Sequence, residues 1–261
     1  MFLAEFHYKS AKSKIKETNY SSAQKYLLYF LYSSIYFNKI DELGEIMKKR
    51  IKIDIVSDIM CPWCIVGFNR LKKAMAKFED KAEFEIHWHP FELAPRMADE
   101  GQLVYERLAE KYSMTPEQIL ATHNEITSMA AEVGFQFNYS RESRMYNTFN
   151  AHQIIHWAGE VSDQQSAIKE AIFEAHFTKN LNVSKIDVLV DVVKSVGLDE
   201  KEARKILEEQ TYAKELRKIE REIKKAGIKS VPSYKFNDEH KIESSGSVEI
   251  FSDMIEKIIA E

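Results

Sequence analysis

The sequence predicts an α/β fold whose sheet is split by a long all-helical insertion, and three observations predict it. Two segments with strand-type alternation, 51–57 and 83–89, flank an amphipathic helical pattern. Residues 96–196 then carry nearly unbroken helical periodicity. Strand-forming residues return only near the C-terminus, as a helix, two short strands and a final helix.

Ile51, Ile53, Ile55 and Val56 are β-branched, and residues 51–57 read as a strand. Residues 61–78 follow as a helix with Val66, Leu71, Ala74, Met75 and Phe78 on its apolar side. Phe84, Ile86 and Trp88 share one face of a second strand, which Pro90 and Pro95 bring to an end. A strand–helix–strand unit of this length implies two parallel strands joined by a right-handed crossover.

Within the insertion the clearest helix start is Thr115-Pro116-Glu117-Gln118. It has an N-cap threonine, a proline at the first helical position and a glutamine placed for a capping box. Ile119, Leu120, His123, Ile126 and Val133 continue that helix, and Gly134 is its expected C-terminal cap. Further helices are expected over 143–159, 164–180 and 185–196. Residues 199–226 read as one long charged helix burying Ile206, Ala213, Leu216, Ile219 and Ile223, with Gly227 ending it. Residues 233–236 and 240–243 suit a hairpin across Asn237-Asp238-Glu239, and 248–259 is a closing amphipathic helix. This order is that of a thioredoxin-like fold interrupted by an all-helical insertion. Its core comprises 51–95 and 197–261, its insertion 96–196, and residues 1–50 precede it.

Both cysteines lie in one tetrapeptide, Cys61-Pro62-Trp63-Cys64, where the first strand feeds the first helix. That spacing and context read as a redox dithiol. The first turn of a helix presents unpaired N–H groups and about half a positive charge, which favours thiolate over thiol. An unperturbed cysteine is only about 3% thiolate at pH 7, and lowering its pKa by about 2 units makes it mostly thiolate. The expectation is therefore a stabilised thiolate at Cys61, with Cys64 one turn deeper to attack a mixed disulfide formed there.

Net charge is −4 with Lys and Arg interleaved among Asp and Glu, so no nucleic-acid footprint is expected. The 44% apolar and 30% charged content is that of an ordinary water-soluble globular chain. No cysteine is left over for a structural disulfide, which favours a reducing, cytoplasmic setting.

The stretches IDIVSDIMCPWC (53–64), HWHPFEL (87–93), NTFNAHQIIHWA (147–158) and GIKSVPSY (227–234) resemble the DsbA-like thioredoxin superfamily, specifically its FrnE branch of cytoplasmic dithiol–disulfide oxidoreductases. The resemblance runs from Ile51 to the C-terminus. It implies Cys61 as nucleophile, Cys64 as resolving thiol, and a cis-proline loop at Val231-Pro232 that presents backbone groups to substrate. It implies protein or small-molecule thiol and disulfide substrates, with no cofactor, no metal, no nucleic acid and no membrane among its partners. Relatives usually carry a small-residue SGAQ-like stretch after the hairpin, whereas this chain has Glu243-Ser244-Ser245-Gly246-Ser247.

The same residues admit other readings. The cysteines could be half of a zinc site, but zinc takes four ligands, and the proline–tryptophan dipeptide at a helix start favours redox chemistry. His87 and His89 would share one strand face. His152 and His156 have ligand-like spacing, yet the pattern around them reads as a helix packed on a core. Trp63 is a candidate aromatic platform for substrate. Related kappa-class glutathione transferases and hydroxychromene-carboxylate isomerases share the insertion but typically carry serine where Cys61 stands. A non-catalytic adaptor for a partner protein is a further class. Pro62 and Trp63 bring no charge, so the expected potential lies between about −150 and −240 mV, which makes the pair a reductase or isomerase in a reducing cytoplasm.

Residues 26–37 (YLLYFLYSSIYF) form an apolar run too short to span a bilayer, which takes about 20 residues. Nothing after it resembles a small-residue cleavage site. An appended amphipathic helix is one reading. The favoured expectation is a natural start at Met47, just before the resemblance begins and just after Gly44-Glu45, whose codons can read as a purine-rich ribosome-binding sequence.

Overall fold

The computed structural model describes residues 48–261. The expectations for residues 26–37 and for a start at Met47 lie outside the described residues. A four-stranded sheet in the order β2-β1-β5-β6 carries the site. Strand β1 (Lys49–Ser57) leads into helix α1 (Pro62–Met75), which tightens into a 3-10 turn over Ala76–Phe78, and β2 (Ala82–Pro90) returns beside β1. Then come β3 (Gln102–Leu103), α2 (Val104–Tyr112), α3 (Pro116–Glu132), β4 (Arg144–Met145), α4 (Phe149–Val161) and α5 (Gln165–Phe173). Helices α6 (Ile186–Ser195), α7 (Glu200–Glu209) and α8 (Ala213–Lys225) precede β5 (Ser233–Phe236), β6 (His240–Ile242) and α9 (Val248–Ala260). Residues 50–79 and 83–261 form one unit.

Strand β1 is central because Ile51, Ile53 and Ile55 are all fully buried while the alternate side chains are not. It pairs antiparallel with β5 in the register Ile53↔Phe236 and Ile55↔Tyr234. The hairpin turn falls where the sequence places it: Asn237 and Asp238 both have positive φ, 46° and 64°, which the short polar side chains tolerate. Asn237 also ties the turn to β1, its Oδ1 accepting from the Lys52 N–H at 2.9 Å. Helix α9 lies against α1, with Phe251, Ile255 and Ile258 fully buried. Burial of each such side chain is worth about 1.5–3 kcal/mol. The capping box at Thr115 and Gln118 is complete.

Four features depart from the sequence reading. The single helix expected over 199–226 is two, α7 and α8, broken at Gln210, which takes a left-handed φ of 55°. The break is held by the fully buried Gln153 of α4, whose amide donates to Gln210 Oε1 at 3.0 Å and whose Oε1 accepts from the Tyr212 N–H at 3.2 Å. A tertiary partner therefore overrides local helical propensity. The helix expected from 143 begins only at Phe149. Arg144 and Met145 instead pair with Leu103 and Gln102 in a small second sheet, and Asn147 Oδ1 accepts from the Phe149 N–H at 2.9 Å to start the helix. The helix expected over 164–180 ends its α-form at Phe173 and widens into a π-turn over Glu174–Thr178. The insertion, read as almost wholly helical, thus also holds two short strands.

Gly67 of α1 faces β5 and the loop before α9. A Cβ there would meet the Tyr234 hydroxyl and lie 3.0 Å from Ser245 Cα. Alanine normally stabilises a helix over glycine by about 1 kcal/mol. Gly67→Ala should instead lower stability by about 1–3 kcal/mol through overpacking, measured as a fall in urea midpoint at unchanged m. A midpoint equal to or above the parent's would contradict the close packing.

Candidate active site

The strand-to-helix junction sets both cysteines. Cys61 is the N-cap of α1 in extended conformation, Pro62 occupies the first helical turn, and the Cys64 N–H returns to the Cys61 carbonyl at 3.0 Å. Cys61 is 5% exposed and Cys64 1% exposed. The loop Lys229–Pro232 lies against Cys61, the Val231–Pro232 peptide is cis, and the Cys61 thiol donates to the Val231 carbonyl at 3.6 Å. Trp63 is half-buried and lines the same cavity as Cys61.

Beneath the cysteines lies a buried acid that the sequence reading did not single out. Asp58 is fully buried at the end of β1; its Oδ1 accepts from the Met60 N–H at 3.3 Å and its Oδ2 from the Leu93 N–H at 2.6 Å. His152 of α4 brings Nε2 to 3.6 Å from Asp58 Oδ1 and 3.1 Å from the Phe91 carbonyl. Burial pushes the Asp58 carboxyl up, but His152 and the Leu93 N–H outweigh it and hold Asp58 ionised, below the usual carboxylate range. His152 is thus packed in the core, as read from sequence, but against the redox motif. His156 contacts the Tyr212 ring and pairs with Glu215 of α8. His87 and His89 pair with Glu85 and Asp54 on the outer part of the sheet, so neither joins the cysteines.

A buried lysine completes the cluster. Lys169 of α5 is 1% exposed, its ammonium 5.1 Å from the ring centres of Trp88 and Phe173. Burial pulls its pKa down to about 8, against the opposing pull of Cys64, Asp58 and Cys61. The sequence carried a signal for it. Ile172 and Phe173, three and four residues on, are fully buried, so Lys169 sits on the apolar stripe of α5 where a lysine is rare.

The two sulfurs are shifted in opposite directions, each by burial and by the other sulfur. The neighbouring Cys64 sulfur, then burial, hold Cys61 well above the ordinary thiol value. Burial also acts on Cys64, but the Cys61 sulfur, the Ser57 side chain, the Asp58 backbone and, last, the Lys169 charge together outweigh it and bring Cys64 below its ordinary value. The Cys61 thiol is the donor to the Val231 carbonyl, and the Lys169 ammonium is the cation that acts on Cys64.

In front of Cys61 opens a cavity of about 490 Å³, bounded by the cysteine turn, the 229–231 loop, α2, α3 and the π-turn. Cys61 lines it and Cys64 does not. The stretch 243–247, where the chain departs from its relatives' pattern, is not part of that lining. Ser245 packs on Gly67, the Gly246 carbonyl accepts from Arg70 at 2.7 Å, and Ser247 caps α9.

A buried dithiol at a helix start, with a proline loop across it and a helical roof, defines a thioredoxin-fold redox protein. The chain belongs to the DSBA-like thioredoxin domain family, whose model matches residues 52–256. The Bacillus subtilis protein YwbO is 27% identical over 189 residues, 72% of this chain and 88% of that protein. A probable DsbA oxidoreductase from Streptomyces coelicolor is 30% identical and superposes with a TM-score of 0.75, covering 81% of this chain and 91% of that one. The cytosolic disulfide reductase DsbM from Pseudomonas aeruginosa, solved with GSH, shares the fold at 14% identity and a TM-score of 0.57, covering 80% of this chain and 100% of that one. Among the described residues no helix is long and apolar enough to cross a membrane.

Lys169→Met keeps the packing against Trp88 and Phe173 while removing the cation that faces Cys64. The first ionisation of the reduced pair should then rise by about one pKa unit, read from thiolate ultraviolet absorbance during a pH titration. An unchanged titration would mean that Lys169 does not act on the sulfurs.

Proposed function

We propose that this chain is a dithiol–disulfide oxidoreductase of the FrnE type, acting in the cytoplasm as a reductase or isomerase on thiol and disulfide substrates. Cys61 is the exchanging sulfur, Cys64 the resolving one, and the Val231-Pro232 loop the backbone that receives substrate. The observation that carries this reading is the unequal access of the two sulfurs: Cys61 lines the cavity and Cys64 lies under it.

Ionisation of the reduced pair removes one proton, and when the remaining proton sits on Cys64, Cys61 is the nucleophile. Cys61 attacks one sulfur of a substrate disulfide, the substrate S–S bond breaks, and the first thiolate departs and takes a proton from water. Cys64 then attacks Cys61 Sγ, the mixed disulfide breaks, and the second substrate thiol leaves with the Cys64 proton. Two electrons have passed from the dithiol to the substrate, and a pool of reducing thiol restores the pair. During resolution Lys169 stabilises the Cys64 thiolate, and Asp58 keeps the lysine charged. Pro232 offers no N–H to the sulfurs, which leaves the Val231 carbonyl as the polar group facing Cys61. Trp63 forms an apolar edge of the entrance. The reductive direction is supported by the likeness to DsbM, a cytosolic disulfide reductase solved with GSH.

Cys61→Ser should abolish disulfide reduction, whereas Cys64→Ser should accumulate mixed disulfides on Cys61, seen as added mass removed by a small thiol. Reduction that persists in Cys61→Ser would overturn the assignment.

A further inference from the structure

The cavity in front of Cys61 has two properties that a general thiol-exchange site does not need. Every formally charged side chain lining it is a cation (Arg107, Lys111, Arg144 and Lys229), and no Asp or Glu lines it, although the whole chain carries a net charge of −4. Its remaining wall is mostly apolar, formed by residues such as Val104, Leu108, Ile126 and Phe177. Arg144 is already engaged by the Glu100 and Gly101 carbonyls, while Arg107 and Lys229 make no ion pair among the described residues. One polar group in the wall is also unfilled: His176, 7% exposed on the π-turn, has a buried Nδ1 with no hydrogen-bond partner among the described residues. Burial pulls its pKa down to about 4, so it is neutral. π-turns recur at functional sites.

Resting on the thiol–disulfide reading above, we propose that the cavity selects a small amphipathic disulfide, with an apolar body against the α2–α3 wall and a carboxylate held by Arg107 and Lys229. The commitment to a small molecule rests on size: a volume of about 490 Å³ lies within the range of small-ligand pockets, about 300–1,000 Å³. A basic rim on an acidic protein also concentrates anions at the mouth, so selection should show in the association rate and weaken with salt.

Pre-reduced protein in single-turnover reactions provides the test, with no external reductant required. Four small disulfides separate charge from apolarity: dithiobis-nitrobenzoate (anionic, aromatic), dithiodipyridine (neutral, aromatic), dithiodipropionate (anionic, aliphatic) and cystamine (cationic, aliphatic). Each rate is divided by the rate of a free small thiol with the same disulfide, which removes intrinsic leaving-group reactivity. In each reaction Cys61 forms the mixed disulfide, Cys64 closes the Cys61–Cys64 bond, and both halves leave as thiols or thiolates. The expected order places the anion above its uncharged or cationic counterpart in both pairs, and the aromatic anion above the aliphatic one. Arg107→Gln and Lys229→Gln should each lower the anionic-to-cationic ratio about threefold to fivefold, as should added salt. Leu108→Trp, which narrows the apolar wall, should lower the aromatic-to-aliphatic ratio. Cystamine reacting as fast as dithiodipropionate, a ratio unmoved in the Arg107→Gln/Lys229→Gln double variant, or insulin outpacing every small disulfide at equal disulfide concentration would overturn the proposal. If Cys61→Ser reacts with dithiodipyridine as the parent does, the oxidoreductase reading itself fails and this proposal falls with it.

Discussion

The site depends on the cancellation of buried charge. Asp58 is fully buried and Lys169 nearly so, and both act electrostatically on the two sulfurs. An ionised carboxylate or ammonium placed alone in such surroundings costs several kcal/mol, so each depends on the partners that surround it. Asp58 has the Met60 and Leu93 N–H groups and His152; Lys169 has the faces of Trp88 and Phe173. These partners come from both parts of the chain, since β1 supplies Asp58 while α4 and α5 of the insertion supply His152 and Lys169. The insertion therefore acts on the redox chemistry as well as roofing it.

Much of the frame was legible because it is written locally. Ile51, Ile53 and Ile55 specify a buried strand by alternation, Thr115 to Gln118 specify a helix start by their own hydrogen bonds, and Asn237-Asp238 suit the positive φ angles of the hairpin turn. What escaped was set by distant partners. The break at Gln210 exists because Gln153, far away in sequence, satisfies it, and residues 102–103 pair with 144–145 across two helices. Within the site, the cysteine pair and the proline loop were readable from residue types at telling positions. Asp58 was hidden because an acid near a motif is ordinary. Lys169 was hidden because a lysine in a charged helix is ordinary unless its place on the apolar stripe is noticed.

One expectation rested on a general rule that this environment modifies. A helix start favours a thiolate at its first residue, which would make Cys61 the more acidic sulfur. Here Lys169 acts on Cys64, and the Val231 carbonyl accepts from the Cys61 thiol, so the helix start is not the sole influence on either sulfur. Access decides which sulfur reacts, because a proton moves between adjacent sulfurs far more readily than a substrate reaches a side chain that is 1% exposed.

That claim is tested most directly by limited alkylation of the reduced native protein. One equivalent of iodoacetamide near neutral pH, followed by peptide mass mapping, reports which sulfur meets a reagent first. Unequal access predicts carbamidomethylation at Cys61, with Cys64 modified only after unfolding. Modification of Cys64 at a comparable rate in the folded protein would contradict it.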